Sequence, residues 1–309
     1  MKRKWVFGTI LALMLIFALL RIDRESLLHS LNQIPLWVAL LMFGLQIISQ
    51  LLVNLQWHKI AKLSDISISF GDMLYVNCQG SVIDSITPGV KFGGEVTRAI
   101  QISRTTKCCA EQAAAVVVTQ KLFSLCALFL ILSFAVGWYL VLPFLLIFLC
   151  IFIMPNHIKF YLQTKKDPRF VWMRKMKDFA IASLEQVNNI RKSKKSLAML
   201  FLLSLFIWLL YPAKMYFLTA QFYPDVHIVH IVAITFAAYM IAMLPIFPGG
   251  LGGFEATMTG LLIAIGMIIS DAAVITIFFR FTTFWLVMLC SLVFIALHKL
   301  HTTWRLKQQ

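Results

Sequence analysis

Stretches of about twenty consecutive apolar residues recur along this chain, and they restrict the fold more than any other feature. A helix rises 1.5 Å per residue, so about 20 apolar residues cross the hydrocarbon of a bilayer. Segments that meet or approach this length are 5–22, 34–55, 113–137, 138–155, 197–218 and 272–297. They predict an all-α polytopic membrane bundle of about six spans. Of 309 residues 60% are hydrophobic and only 13% charged, and the mean hydropathy is +0.84, far too apolar for a soluble domain of this size. The run from Trp5 follows Lys2, Arg3 and Lys4 and looks like a signal peptide, but no small-residue cleavage site follows, so it reads as an uncleaved first helix.

The formal net charge of +15 raises the question of nucleic acid. Its placement argues against that partner, because the basic residues fall mainly between apolar runs, where retention on the cytoplasmic side puts them. Lys2, Arg3 and Lys4, then Lys59 and Lys62, then Arg98, Arg104 and Lys107, and finally Lys299, Arg305 and Lys307 fall on one face. Both termini are thus expected in the cytoplasm, with the chain in the cell membrane. The loop from Thr219 to His230 has no Lys or Arg and belongs to the other face. Lys214, near that end of its span, and the charge-balanced first loop with Arg21, Asp23, Arg24 and Glu25 run against this orientation.

One domain is expected over residues 1–309: a first half (1–155), a basic segment (156–196) and a second half (197–309). The basic segment carries eleven Lys or Arg against Asp167, Asp178 and Glu185, interleaved with Phe170, Trp172, Met176 and Phe179. It reads either as an amphipathic helix on the anionic inner leaflet or as a solvated connector. The six cysteines contain no CxxC, and neither His227 with His230 nor His298 with His301 has a Cys or carboxylate cluster to complete a metal site. No metal or cofactor is expected.

Two segments, 71–97 and 231–262, are apolar enough to enter a membrane yet are interrupted. Pro88-Gly89-Val90-Lys91-Phe92-Gly93-Gly94-Glu95 and Pro248-Gly249-Gly250-Leu251-Gly252-Gly253-Phe254-Glu255 both read P-G-x-x-x-G-x-E, 160 residues apart. Proline removes a helix hydrogen bond and glycine permits positive φ, so each copy predicts a turn between two half-helices. Irregular backbone at membrane depth needs protein cover or a watery cavity. With the orientation above, the first copy is entered from the cytoplasm and the second from outside, an inverted repeat of the kind transporters use around a central site. The Gly89/Gly93 and Gly249/Gly253 spacings also permit close helix packing, but packing alone does not need Glu95 and Glu255 at matched places.

Partners for these carboxylates lie within later apolar runs. Arg280 is expected to pair with Glu255, and Arg98 or Lys121 with Glu95 or Asp84. One reading is a set of salt bridges that only fixes helix registry. The other is a translocation site, in which a cation binds lipid phosphate while the carboxylate holds it ready or binds a cationic head group.

The run from Leu244 through Glu255, followed by a last span containing Arg280, resembles the membrane domain of lysylphosphatidylglycerol synthases, the flippase-like family. Thr87-Pro88 through Glu95 and Arg98 resembles that family's first signature. The resemblance covers roughly residues 5–300. It implies a flippase or scramblase that moves an aminoacylated, glycan-linked or other polar-headed phospholipid between leaflets. Asp84, Pro88, Gly93, Glu95, Arg98, Lys121, Pro248, Gly249, Gly250, Gly253, Glu255 and Arg280 are the candidate residues. A second copy of the chain or a separate synthetase is the expected protein partner, because the sequence ends about ten residues beyond its last span and is not expected to make an aminoacyl-lipid itself.

Two other functions compete. A membrane enzyme on a lipid-linked substrate would use Asp84, Glu95 and Glu255 as acid or base groups. Against it, the sequence has no HExxH, nucleophile elbow, P-loop or metal-binding carboxylate pair. A scaffold for lipid or polysaccharide assembly would need only the basic segment and the topology.

Overall fold

The computed structural model of the chain describes residues 24–87, 92–137, 155–164, 193–244 and 249–307, with scattered positions between 139 and 189. The described residues are α-helical with short turns. In chain order the helices are α1 (Arg24–Asn32), α2 (Leu36–Leu63), α3 (Phe70–Ile86), α4 (Phe92–Thr106), α5 (Ala110–Val136), α6 (Pro155–Thr164), α7 (Lys194–Thr219), α8 (Ile228–Ala242), α9 (Gly253–Ala264), α10 (Ile269–Arg280) and α11 (Leu286–Lys307). A π-helical turn, Phe281–Trp285, joins α10 to α11 without a break.

Four stretches among the described residues are long and apolar enough to cross a membrane: Leu36–Leu63, Ala110–Phe134, Lys194–Thr219 and Ile269–Leu300. They match four of the expected spans. The remaining two, 5–22 and 138–155, lie wholly or largely outside the described residues, as do 165–173 and some further positions of the basic segment 156–196. These helices are apolar all round, as a bilayer requires. On α2 the exposed side chains include Leu36, Trp37, Leu40 and Ile47, which lipid tails would cover.

Helix α2 continues eight residues past its expected end at Leu55, through Gln56 and Trp57 to Leu63. Both residues are buried, and Gln56 finds hydrogen-bond partners there, so polar character does not force the chain out of the bundle. Lys59 and Lys62 therefore sit on the last turns of a helix, not in a loop. Arg98 and Arg104 likewise belong to α4, and only Lys107, with φ +56, stands in the connection to α5.

Both interrupted segments are helix-break-helix units. The first is α3 and α4, and the second α8 and α9. The chain divides into two compact units. One comprises Met1–Gln50, Ser81–Gly94 and Leu210–Gln309. Its apolar core includes Val38, Met42, Met215, Ile231, Phe254 and Phe279. Thr259 donates to Thr276 across α9 and α10 at 3.0 Å. The other comprises Leu51–Gly80 and Glu95–Leu209. Its core includes Trp57, Ile60, Met73, Ile102, Val116 and Phe123.

Side-chain hydrogen bonds cross that second core. Gln56 donates to the Leu200 carbonyl (3.3 Å) and to Ser204, and accepts from Gln120 (3.2 Å). Asn77 donates to Asn54 (2.8 Å), which donates to the Phe70 carbonyl (3.1 Å), and Trp208 donates to Ser124 (3.0 Å). Each joins helices that apolar contact alone holds no more tightly than lipid would.

Candidate functional site

In the first unit the second motif is a turn that only glycine can make. After α8, Gly249, Gly250 and Gly252 adopt φ of +58°, +74° and +84°. A Cβ on Gly249 would stand 2.7 Å from the Ser85 carbonyl oxygen and 3.0 Å from the Phe284 ring. On Gly250 it would meet the Ala242 Cβ at 2.7 Å. Ser85 lies in the last turn of α3, so the end of the first interrupted segment rests directly on the turn of the second.

The turn delivers Gly253 and Phe254 into α9 with Glu255 in its first turn. One carboxylate oxygen of Glu255 accepts from the Gly252 N–H at 2.6 Å, satisfying a donor that a helix start otherwise leaves free. The other lies 3.0 Å from Arg280 Nε, with side-chain exposures of 12% for Glu255 and 6% for Arg280. The Nε–H is not aligned on that oxygen, so the contact is an ion pair more than a hydrogen bond. Arg280 also donates from Nη2 to the Gly249 carbonyl. Its guanidinium is sandwiched by Phe254 at 4.6 Å and Phe284 at 4.2 Å. Phe284 is presented by the π-helical turn, in which Thr282 and Thr283 return their hydroxyls to the Phe278 and Phe279 carbonyls (3.0 and 2.9 Å). Such turns are rare and recur at functional positions.

The first motif straddles the division between units, and Pro88, like Pro248, lies outside the described residues. Within the first unit, Asp84 accepts from the Gly94 N–H at 3.0 Å. It therefore caps the approach to α4, while Gly93 leaves room for Thr87, whose Cγ2 would be 2.7 Å from a Cβ there. Asp84→Ala should cost about 1 kcal/mol. Asp84→Asn should cost less, both read as a lowered unfolding temperature in detergent.

Within the second unit, Glu95, in the first turn of α4, forms an ion pair with Lys121 of α5. This pair is more open than the other, with Lys121 36% and Glu95 19% exposed. Arg98 lies over the Trp57 ring at 5.6 Å and passes Gly80 so closely that a Cβ there would stand 2.5 Å from its Nε.

The two pairs are built alike. Each carboxylate opens the returning half-helix of an interrupted segment, and each cation stands on the next helix, Lys121 twenty-six residues after Glu95 and Arg280 twenty-five after Glu255. The repeat thus extends beyond P-G-x-x-x-G-x-E to the cations. Phe254 and Phe284 have no special mark in the sequence: one precedes Glu255, and the other follows Arg280 by a helical turn. Among the described residues no group of three or more His, Cys, Asp or Glu side chains is placed to hold a metal ion.

Comparison with known proteins agrees with this architecture. Residues 5–291 match the family model described as lysylphosphatidylglycerol synthase TM region. A UPF0104 membrane protein of Methanothermobacter thermautotrophicus is 22% identical over 280 residues, 82% of this chain and 82% of that protein. Another UPF0104 membrane protein match from the same organism is 29% identical over 99 residues, 32% of this chain and 30% of that protein. The match runs through both interrupted segments and the span bearing Arg280, and the chain therefore belongs to the lysylphosphatidylglycerol synthase transmembrane-region family.

Proposed function

We propose that this membrane protein passes polar-headed phospholipids between leaflets, without chemical conversion, through the two interrupted segments. The observation that carries the reading is the matched pair of carboxylate and cation at the start of each returning half-helix. A helix N-terminus is a partial positive charge, and a neighbouring Lys or Arg makes it a natural seat for phosphate. The carboxylate keeps that cation compensated inside the membrane until phosphate takes its place, so neither charge is left bare in hydrocarbon. With both termini in the cytoplasm the segments enter from opposite sides, giving the head group a station toward each leaflet. The aminoacylated and glycan-linked head groups implied by the family resemblance both carry such a phosphate.

The test is leaflet exchange in proteoliposomes carrying fluorescent phospholipids, comparing wild type with Glu255→Gln and Lys121→Gln. Loss of one charge-assisted contact removes about 1.5–3 kcal/mol, so each variant should exchange lipid roughly tenfold more slowly or worse. Both should still insert and fold. Wild-type rates in both variants, or no exchange by a folded wild type with any head group, would overturn the reading.

A further inference from the structure

Among its described residues, the buried charges of the first unit do not balance. Two cations among these residues are buried, Arg280 and Lys214. Arg280 has Glu255. Lys214, five residues before the end of α7 and 0% exposed, has no carboxylate partner among the described residues. Its ammonium is enclosed by neutral groups: it donates to Gln46 Oε1 and to Ser49 Oγ (3.3 Å), both on α2, and lies over the Tyr211 ring at 4.4 Å. Ser49 spends its own hydrogen on the Leu45 carbonyl. Beside the ammonium, the Gln46 Nε2 amide is buried without an acceptor. Among the described residues the place therefore holds a cation and an amide donor and no negative charge. Burial of an uncompensated charge is among the most unfavourable arrangements in a membrane protein.

We propose that Lys214 and Gln46 form an oxyanion site, whose ligand is a phosphate group held by the Lys214 ammonium and the Gln46 amide. A phosphate offers the acceptor that the Gln46 amide lacks and the negative charge that the Lys214 ammonium lacks, and Lys binds it as a point charge. Tyr211 supplies the apolar wall. The group comes either from a phospholipid head group or from free phosphate, and the chemistry of recognition is the same for both. This site is separate from the Glu255–Arg280 pair, and its occupancy does not depend on leaflet exchange.

The experiment is thermal unfolding of the purified full chain in a neutral detergent. It is titrated with inorganic phosphate or with short-chain phosphatidylglycerol, at ionic strength matched with sodium chloride. Wild type, Lys214→Met and Gln46→Glu are compared. A ligand that binds only the folded state raises the unfolding temperature with its concentration. Wild type should rise by several degrees with at least one probe, and Lys214→Met should lose that response. Gln46→Glu supplies the missing negative charge internally. It should be more stable than wild type without ligand and indifferent to either probe, and it keeps the test alive where Lys214→Met does not fold. A response to phosphate alone assigns the site to the free ion, and a response only to the lipid assigns it to a head group. No response in wild type, or equal responses in wild type and Gln46→Glu, would sink the proposal. Leaflet exchange measured on the same variants separates its failure from failure of the translocation reading.

Discussion

Arg280→Ala should be the most damaging single substitution in the described part of the chain, lowering stability by about 3–5 kcal/mol and stopping lipid exchange. The guanidinium is the hub of its unit's site: it meets Glu255, bonds the Gly249 carbonyl, and fills the space between Phe254 and Phe284. Removing it leaves Glu255 without its cation, the Gly249 carbonyl without its donor, and two aromatic faces around a void. Arg280→Lys keeps the charge but not the planar fork, so it should retain part of the stability and little of the exchange. A double-mutant cycle with Glu255→Gln separates the pair from the packing. The Glu255→Gln/Arg280→Met double variant should be more stable than the sum of its single losses implies, because neither charge is then left alone. Additive losses would mean that the two side chains act independently.

Gly249→Ala should follow, at about 1–3 kcal/mol, measured as a lower unfolding temperature. The added methyl meets the Ser85 carbonyl and the Phe284 ring on a backbone with φ +58°, so strain and collision add. Gly260, in the interior of α9, has nothing within 4 Å of a built Cβ, so Gly260→Ala provides the contrast. That change should stabilise by about 0.5–1 kcal/mol through lower backbone freedom in the unfolded chain. Equal effects at the two glycines would show that Gly249 is not held against its neighbours.

The division between what the sequence reveals and what it hides follows from the physics of the bilayer. Apolar runs near 20 residues declare themselves because lipid imposes their length. The break between α3 and α4 and the turn at Gly249 and Gly250 are equally visible, since glycine and proline act through the backbone without help from neighbours. The Glu255–Arg280 pair can be anticipated because two charges in hydrocarbon must meet. The continuation of α2 through Gln56 cannot, because the residues that satisfy its amide, Leu200, Ser204 and Gln120, are distant in sequence. Lys214 is hidden for the same reason. Four or five residues from the end of its span it has the appearance of a boundary charge, and only the fold encloses it with Gln46 and Ser49. Phe254 and Phe284 are concealed by abundance, since a chain with 26 phenylalanines gives no sign of which ones face a guanidinium.

The cross-helix hydrogen bonds of the second unit carry one more consequence. In lipid the apolar faces of two helices gain little by meeting each other, and an interhelical polar contact contributes on average about 0.6 kcal/mol. The joins of Gln56 to Ser204, Asn54 to Asn77 and Trp208 to Ser124 are therefore weak one at a time yet selective for alignment. Outward leucines and isoleucines can exchange among themselves over many generations at little cost, whereas a shift of one helix by a single residue breaks several polar contacts together. Divergent relatives should thus vary most where they face lipid and keep their helix alignment through a handful of amides and hydroxyls.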